Sequence, residues 1–498
     1  MKSGQKNKSG VFGNEILTFN ENIMNELLKN ILEIETETQT IEFKRLKGDK
    51  VVYKIIETIV AMSNTDGGII ILGIDDPEKT DKKGIDRIYG IDESLDNYDA
   101  IGREVQKITP PISHLWNPEI IIEESSKKRI ALLRIPKTTE SFISFFGSVF
   151  IRQQKSNKKL SPQEIIKFSY AKGFEKADKE LVDVDFDLLK TTYYELWRKK
   201  RGLDTERIEE NLFKTGLARK NESGILKPTR AAVLLFAEYP TNIMETKCAI
   251  RVYRYQGTIE SFQETPNLIG TPKTIDGPIT KLIEKAHEYV LTILQSGIEL
   301  HSGFLTKYKI PERVIKEAIT NAVIHRDYHT KRDIEIKIFE DRVEVRSPGL
   351  FPYNITRGNI GKVRAEGYRN DLLVKHLREF PEAPNLDRNE GVQAMRNEMK
   401  ENKLYPPFFI TYPTLEDSVE VVLLNEHSPN EWEKISEYLN KNIFIDNKTA
   451  REITGVVQTH EMSRMFSKWV KQGLLEIFNP DNKAPKHTKY KLANKDDI

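Results

Sequence analysis

The first third of the chain contains segments with apolar residues at helical spacing and, between them, short apolar runs typical of strands. Ile23, Leu27 and Ile31 recur at helical spacing and predict a helix that ends near residue 34. The run TIEF then predicts a short strand, the apolar positions from Val52 to Ile59 predict a second helix, and the unbroken run Ile69 to Ile74 predicts a buried strand. The later runs IALLRI and SVFIRQ predict two more strands. The pattern therefore predicts an α/β unit.

The middle of the chain has a different pattern. From Asp185 to about Gln295 it is mostly helical, interrupted by a predicted strand pair at AAVLLFA and AIRVYRYQG. A helix is predicted from Pro311, followed by the strands IEIKIFE and RVEVRSPG. In the second of these, Val343 and Val345 alternate with charged residues, which predicts a half-exposed antiparallel pair.

The last block, from about Glu431, predicts three helices and a two-stranded wing. Ala450, Ile453 and Val457 are predicted to lie on one helix. The next helix is expected to bury its apolar stripe in the core, namely Met462, Met465, Phe466 and Trp469.

Composition narrows the class of protein. The 498 residues correspond to about three domains at roughly 150 residues each. The net charge of +2 excludes a globally basic nucleic-acid coat, so any nucleic-acid surface must be local. The single cysteine, Cys248, excludes disulfide frameworks and thiolate metal clusters. No apolar run approaches the roughly 20 residues that a membrane helix needs, so a cytoplasmic protein without membrane contact is expected.

A group of acids in the first unit could carry chemistry. Asp76 follows a predicted buried strand at its carboxyl end, where α/β sheets bind ligands, and Glu42 lies on the preceding strand. Glu37 can join them only from the turn before that strand, because residues five apart on one strand face opposite sides. Three such carboxylates could bind Mg²⁺ or Mn²⁺ for phosphodiester hydrolysis, with Lys44 stabilising the developing charge. Solvated surface acids are the alternative.

The segments ETQTIEFK, IVAMSNTDGGIIILGIDD and FIRQQKSNKKLSPQEI resemble the AlbA-type nucleic-acid-binding domain of the Schlafen family. In that family an E-x-x-x-x-E-F-K run and the second Asp of a G-[IV]-D-D run form a metal-dependent ribonuclease site that cuts tRNA. The resemblance therefore implies that Glu37, Glu42 and Asp76 are catalytic metal ligands. Bacterial relatives with much of this pattern are described as DNA-binding transcriptional regulators, which keeps a non-enzymatic function open.

A basic cluster follows in the same unit. Arg152, Lys155, Lys158 and Lys159 have no acidic neighbour in sequence between Val149 and Ser161, as expected of a phosphate-contacting edge. An ordinary solvated loop is the alternative. The next helix is predicted to begin at Ser161 with Pro162 and a capping box completed by Glu164.

A second candidate site lies in VIKEAITNAVIHRDYH. Glu317 and Asn321 are four apart and project from one helical face, where a carboxylate can position water and an amide oxygen can bind Mg²⁺. With IFEDRVEVRSPGLFP, RNDLLVKHL and NEGVQAM, this stretch resembles the ATP-binding fold of the gyrase, histidine-kinase and MutL superfamily (GHKL) in its RecG-like form. The resemblance implies that Glu317 is the general base, that Asn321 is the magnesium ligand and that Gly349 contributes to the cofactor site. The adenine-reading Asp of that superfamily is replaced by Ser347, so ATP selectivity and hydrolysis are open.

The C-terminal block KTAREITGVVQTHEMSRMFSKWVKQGLLEIF resembles a winged helix-turn-helix. Its candidate recognition helix is expected to present His460, Arg464 and Lys468, of which Arg464 and Lys468 are the predicted nucleic-acid contacts. The wing is lysine-rich, with Lys483, Lys486, Lys489 and Lys491. Sequence-specific DNA reading, phosphate binding and dimerisation all remain open.

These observations predict an α/β and α+β multidomain protein. The predicted parts are a flexible N-terminus (1–20), a Schlafen AlbA-type domain (21–175), a helical connector (176–300), a GHKL ATPase-like α/β sandwich (301–428) and a winged helix (429–498). The leading hypothesis is a metal-dependent endoribonuclease acting on tRNA or other structured RNA, in bacterial antiphage defence and as a homo-oligomer. The alternative is a DNA-binding transcriptional regulator with no nuclease activity.

Overall fold

A computed structural model describes residues 27–112, 115–244, 247–261, 267–299, 305–306, 308–380, 391–478 and 488–493. The predictions for residues 1–20 and for Lys483 and Lys486 fall outside these ranges. Within them the chain is a mixed α/β and α+β multidomain assembly, which confirms the predicted fold class. No helix of the described ranges is long and apolar enough to cross a membrane.

The first unit is built around a mixed sheet. The strands of this unit are β1 (Ile41–Lys44), β2 (Gly68–Leu72), β3 (Ile108–Thr109), β4 (Glu119–Ile122), β5 (Arg129–Ile135), β6 (Ser144–Phe145), β7 (Phe150–Gln153) and β8 (Ser156–Lys159). Its helices are α1 (Val51–Ser63), α2 (Leu95–Val105) and α3 (Pro162–Lys172). The sheet order is β1-β2-β5-β4, with β1 and β2 parallel and the other pairs antiparallel. The predicted capping box at Ser161 and Glu164 is present at the start of α3.

The connector contains one departure from prediction. Its elements are α4 (Thr192–Lys200), α5 (Ile208–Thr215), β9 (Ala218–Lys220), β10 (Leu226–Pro228), α6 (Arg230–Phe236) and α7 (Pro240–Ile243). The predicted strand AAVLLFA is wrong, because these residues form α6, which the Thr229 hydroxyl caps by accepting the Ala232 N–H. Residues 231–236 are all buried, so the run shows no amphipathic period that could separate helix from strand.

The third unit is built around a six-stranded sheet. The elements of this unit are β11 (Ile250–Arg254), β12 (Lys273–Ile275), α8 (Ile279–Gln295), β13 (Ile298–Glu299), β14 (Leu305–Thr306), α9 (Glu312–Ile324), β15 (Ile334–Ile338), β16 (Arg342–Pro348), α10 (Asp371–Leu377), α11 (Gly391–Glu401), β17 (Phe408–Ile410) and β18 (Ser418–Leu424). The strand order of the sheet is β12-β11-β15-β16-β18-β17. The antiparallel pairing of β15 with β16, burying Val343 and Val345, is as predicted. Because β11 and β12 belong to this sheet, it begins well before the predicted boundary at residue 300.

The last unit has three helices and a three-stranded sheet. Its elements are α12 (Asn430–Lys441), β19 (Ile445–Asp446), α13 (Asn447–Thr454), α14 (Thr459–Lys471), β20 (Leu475–Ile477) and β21 (Lys489–Leu492), and the sheet order is β19-β21-β20. Met462, Phe466 and Trp469 are buried as predicted. The placement of Val457 on a core-facing helix is wrong: α13 ends at Thr454, and Val457 is 84% exposed in the loop that follows.

Candidate active site and nucleotide pocket

Glu37 and Glu42 lie at one edge of the first sheet. Glu42 is on β1, and Glu37 is in the turn before it, as the five-residue spacing requires. The Glu37 carboxylate accepts the Phe43 backbone N–H at 3.0 Å, which fixes its orientation. The Lys44 ammonium donates to Glu42 and lies 3.7 Å from Glu37. The two buried carboxylates therefore share one cation.

Asp76 completes a set that we call the acidic cluster: Glu37, Glu42 and Asp76. It lies just beyond the carboxyl end of β2 and is buried. Its carboxylate accepts the Glu78 N–H at 3.1 Å and a hydrogen bond from the Lys79 ammonium. Lys79 is three residues further along and 72% exposed, and it was not among the predicted site residues.

The electrostatics of the cluster favour proton exchange near neutral pH. Burial raises the pKa of Glu37 to about 7, and the like charges of Glu42 and, more weakly, Asp76 add to this shift. The hydrogen bond to Asp76 raises the pKa of Lys79, with the charges of Glu37 and Glu42 contributing. The three acids therefore act on one another's charge.

The cluster offers only oxygen ligands, which suits Mg²⁺ or Mn²⁺. In the described ranges, however, no three histidine, cysteine or acidic side chains are arranged to hold a metal ion. Lys44 lies between the two glutamates, and Lys79 holds Asp76. A three-carboxylate metal centre would therefore require the exposed Lys79 side chain to leave Asp76, and the predicted metal site stays a prediction.

Arg152 does not lie on the predicted phosphate-contacting surface. Its side chain is 1% exposed and donates to the Glu42 carboxylate, to the Thr38 carbonyl at 3.2 Å and to the Asn157 side chain at 3.0 Å. Its backbone N–H also donates to the Thr65 hydroxyl at 2.8 Å. Arg152 is thus the buried counter-ion of Glu42, and its predicted phosphate contact is wrong.

The three lysines of the same segment are exposed on the β7–β8 hairpin. Lys155 pairs with Glu78 at 2.5 Å, which places the hairpin beside the loop that carries Asp76. Lys158 pairs with Glu164 at 2.7 Å, and Lys159 lies at the end of β8. The hairpin therefore presents positive charge next to the acidic cluster, although two of its lysines have acidic partners that sequence neighbours did not reveal.

A cavity of about 740 Å³ lies in the third unit between α9, β16 and α11. Glu317 and Asn321 line it from α9, and the Asn321 amide donates to the Glu317 carboxylate at 2.9 Å. Burial raises the pKa of Glu317. Gly391 begins α11 directly beside them, since a Cβ atom there would lie 1.8 Å from the Glu317 carboxylate oxygen. Gly391 was not predicted as a site residue.

Ser347, near the end of β16, and Gly349, directly after that strand, also line the cavity. The Ser347 hydroxyl donates to the Ala322 carbonyl at 2.7 Å, so it can only accept a hydrogen bond from a ligand. Gly349 has φ +110°, and a Cβ atom there would lie 3.1 Å from the Arg369 guanidinium. Both the close approach and the backbone angle favour glycine.

The exposed face of α14 carries the predicted DNA contacts. His460 and Arg464 line a shallow depression with Ser463 and Ser467. Lys468 is exposed but donates to Glu426. Of the predicted wing lysines, Lys489 and Lys491 are only 19% and 12% exposed and lie near Glu35 and Glu476, so neither presents a charge to DNA.

Two family models match parts of the chain. Residues 37–161 match the family described as "Schlafen, AlbA_2", and residues 331–423 match the family described as "Putative ATP-dependent DNA helicase recG C-terminal". A crystal structure of the DIP2311 protein from Corynebacterium diphtheriae aligns with 90% of this chain and 93% of its own, at 18% identity and a TM-score of 0.38. No curated protein matches the chain significantly. The two family matches indicate a nucleic-acid-binding protein with an ATP-binding type of unit.

Proposed function

We propose that the protein is an endoribonuclease whose active centre is the acidic cluster. The observation that carries this proposal is that Glu37 and Glu42 are buried on either side of the Lys44 ammonium, with Asp76 close enough to raise the pKa of Glu37. Burying like charges costs stability, so a cluster with perturbed pKa values marks a candidate functional site.

The residues of the cluster have distinct roles in this proposal. With a pKa of about 7, Glu37 can accept a proton from the attacking water as that water forms a new bond to phosphorus. The P–O bond to the leaving oxygen then breaks, and the leaving oxygen takes a proton from solvent. Lys44, which contacts both glutamates, can stabilise the negative charge that develops on the phosphate. Mg²⁺ or Mn²⁺ held by the cluster would supply further charge neutralisation.

The proposed substrate is tRNA or another structured RNA. The Schlafen match supports this class, and the lysines of the β7–β8 hairpin can contact a phosphate backbone beside the cluster. Antiphage defence is the role that follows from cutting tRNA, because tRNA loss would stop phage protein synthesis. Two copies that clamp one RNA are the expected assembly.

A cleavage assay with a matched pair of variants tests the proposal. Purified protein is incubated with total tRNA in Mn²⁺, in Mg²⁺ and in EDTA. Asp76→Ala should abolish cleavage and leave RNA binding intact. Asp75→Ala is the control, because this neighbouring acid is near Arg45 and lies outside the cluster. Cleavage by Asp76→Ala, or cleavage that persists in EDTA, would contradict the metal-dependent assignment.

A DNA-binding transcriptional regulator is the second candidate function. The exposed depression on α14, with His460 and Arg464, favours it because a helix face of this kind can enter a major groove. Genomic DNA fragments selected by the protein should share a sequence motif, and Arg464→Ala should weaken that selection. If the selected DNA fragments share no motif, α14 contacts only DNA phosphates and does not read a sequence.

A further inference from the structure

A two-residue turn at the tip of a hairpin carries an unusual residue. Phe145 and Ser148 exchange two backbone hydrogen bonds at 3.0 Å, which leaves Phe146 and Gly147 as the turn. Both turn residues have positive φ, +47° and +71°. Turns with two left-handed residues favour Asn-Gly, because a side chain such as phenylalanine is strained in that conformation.

The phenylalanine is also exposed to solvent. Phe146 is 70% exposed, whereas the adjacent Phe145 is buried. Phe146 therefore relieves no strain by burial, and asparagine or glycine would suit the turn better. A strained residue that is retained with its apolar ring in water suggests that the ring has a function.

The surroundings of the ring identify its partner. The Lys107 ammonium lies 5.8 Å from the Phe146 ring centroid. The Phe145 ring lies 4.5 Å from Phe146 and 5.5 Å from Tyr53, which is itself 47% exposed. Lys107 is 51% exposed and pairs with Glu104, and Lys54 is exposed beside Tyr53. Exposed aromatic rings flanked by lysines complement an unpaired base and its phosphates.

We propose that Tyr53, Phe146 and Lys107, which we call the aromatic tip, bind an unpaired base of a nucleic acid by stacking. The proposal rests on nucleic acid being the substrate of the first unit and assigns it a binding site outside the acidic cluster. Phe146 precedes Arg152, the counter-ion of Glu42, by six residues, so the tip and the acidic cluster both lie in the first unit.

Three variants of Phe146 test the proposal in the full-length protein. Binding is measured in EDTA, so that cleavage does not contribute, with a hairpin RNA that carries 2-aminopurine in its loop and with a fully paired duplex. Phe146→Asn should weaken loop binding roughly five- to a hundredfold and leave duplex binding within about twofold. Phe146→Trp should bind normally and show quenched tryptophan fluorescence. Phe146→Leu, which keeps an apolar side chain but has no ring, should bind the loop as weakly as Phe146→Asn and lose the 2-aminopurine quenching.

A stability measurement separates function from structure. Phe146→Asn should raise the melting temperature, because asparagine tolerates the left-handed turn, so one substitution improves stability while it weakens binding. Ile166→Asn is the control, since it removes a side chain that is 59% exposed on α3 and should not change loop binding.

The outcomes distinguish the tip from the nuclease. Unchanged loop binding in Phe146→Asn overturns the proposal, and so does an equal loss for loop and duplex. A change of oligomeric state in sedimentation with unchanged loop binding would make the tip a protein contact and also overturn it. Stacking at the tip without tRNA cleavage by the wild-type protein would support the tip and contradict the proposed nuclease.

Discussion

Arg152 and Glu42 form an ion pair whose side chains are 1% and 5% exposed. Removing one partner of such a pair leaves a buried charge, which costs about 3–5 kcal/mol, whereas an exposed pair contributes about 0–1 kcal/mol. We therefore expect a large coupling free energy of unfolding, about 1.5–3 kcal/mol, in a double-mutant cycle of Arg152→Met and Glu42→Gln measured with urea. The exposed pair Arg134–Glu119 is the matched control and should give about 0.5 kcal/mol or less. Equal couplings would contradict the positioning role of Arg152.

Glu37 should make stability depend on pH with a defined sign. Its pKa is raised to about 7 in the folded protein, so the folded state prefers the protonated acid, and stability falls as pH rises from about 4.5 to 7. Glu37→Gln cannot ionise and keeps an oxygen for the Phe43 N–H. In urea unfolding, its stability relative to wild type should improve by about 1 kcal/mol or more between pH 5 and pH 8. Glu33→Gln, at an exposed site, should show no such change.

The sequence located the acids of the cluster more accurately than their counter-ions. Strand position and the Schlafen-like motif both indicated Glu42 and Asp76, and spacing placed Glu37 on the turn. Arg152 was misplaced because four basic residues close in sequence were treated as one surface. Strand alternation could not have corrected this, because Phe150 and Ile151 are both buried and therefore mark neither face of β7 as the outer one. Lys79 lies in a loop, where no strand alternation or motif of the sequence marked it as the partner of Asp76.

At the scale of elements, α9 and α11 line the cavity of the third unit, which is the proposed nucleotide pocket. Gly391→Ala should displace the Glu317 carboxylate, because the new Cβ would lie 1.8 Å from it. The variant should lose nucleotide hydrolysis, if the wild type has it, and should bind Mg²⁺-nucleotide more weakly in calorimetry. Asn397→Ala, on the exposed side of α11, is the control. Unchanged nucleotide binding in Gly391→Ala would show that Glu317 does not contribute to the ligand site.

Ser347 in the wall of the pocket predicts poor base selectivity. The resemblance to the GHKL superfamily implies an adenine-reading carboxylate where this chain has Ser347, and the Ser347 hydroxyl hydrogen is already used by the Ala322 carbonyl. The loss of a charge-assisted hydrogen bond corresponds to about 1.5–3 kcal/mol, or roughly ten- to a hundredfold in affinity. ATP and GTP should therefore bind with similar, weak affinity in calorimetric titration. Tight, adenine-selective binding would show that another group reads the base.

Elements with an amphipathic period were predictable, whereas the fully buried run that forms α6 was not. The alternation in β16 identified a strand, and the capping box identified the start of α3. The run that forms α6 is apolar at every position from Ala231 to Phe236, so its period carries no information. Its helical state is decided by the Thr229 cap and by tertiary packing in the surrounding core.

At the scale of the whole molecule, cations connect the first unit to the wall of the nucleotide pocket. Lys137, after β5, donates to the carbonyls of Phe351 and Ile355, both of which line the cavity, at 3.1 and 2.6 Å. Arg369 donates to the Ala171 carbonyl at 2.5 Å and to the Leu350 carbonyl. Three of these contacts, all but that between Arg369 and Leu350, join residues 198 to 218 positions apart, so no local pattern of the sequence could predict them. No local pattern predicted that β11 and β12 join the sheet of the third unit either, although both strands precede the predicted boundary at residue 300.

A continuous set of contacts extends from that pocket wall to the acidic cluster. Beside Ala171, the Lys172 ammonium donates to the Thr65 carbonyl at 2.9 Å, and the Thr65 hydroxyl accepts the backbone N–H of Arg152. Arg152 in turn orients Glu42. A ligand that shifts the pocket wall can therefore change the geometry of the cluster, provided that it binds the two arrangements with different affinity.

This connection predicts a reciprocal coupling between nucleotide and RNA. Saturating Mg²⁺-ATP should change the dissociation constant for tRNA at least about fivefold, and saturating tRNA should change the nucleotide dissociation constant by the same factor, because coupling free energies are reciprocal. Lys172→Met removes the hydrogen bond to Thr65 that connects the pocket wall to Arg152, without touching the acidic cluster, so it should reduce both factors below about twofold while each ligand alone still binds. Lys127→Met, an exposed lysine of the same unit, should keep the wild-type coupling. Binding measured in EDTA-free buffer with the cleavage-deficient Asp76→Ala protein keeps the RNA intact. Equal tRNA affinity with and without nucleotide in that protein would mean that the two units are in contact but that binding to one does not change the affinity of the other.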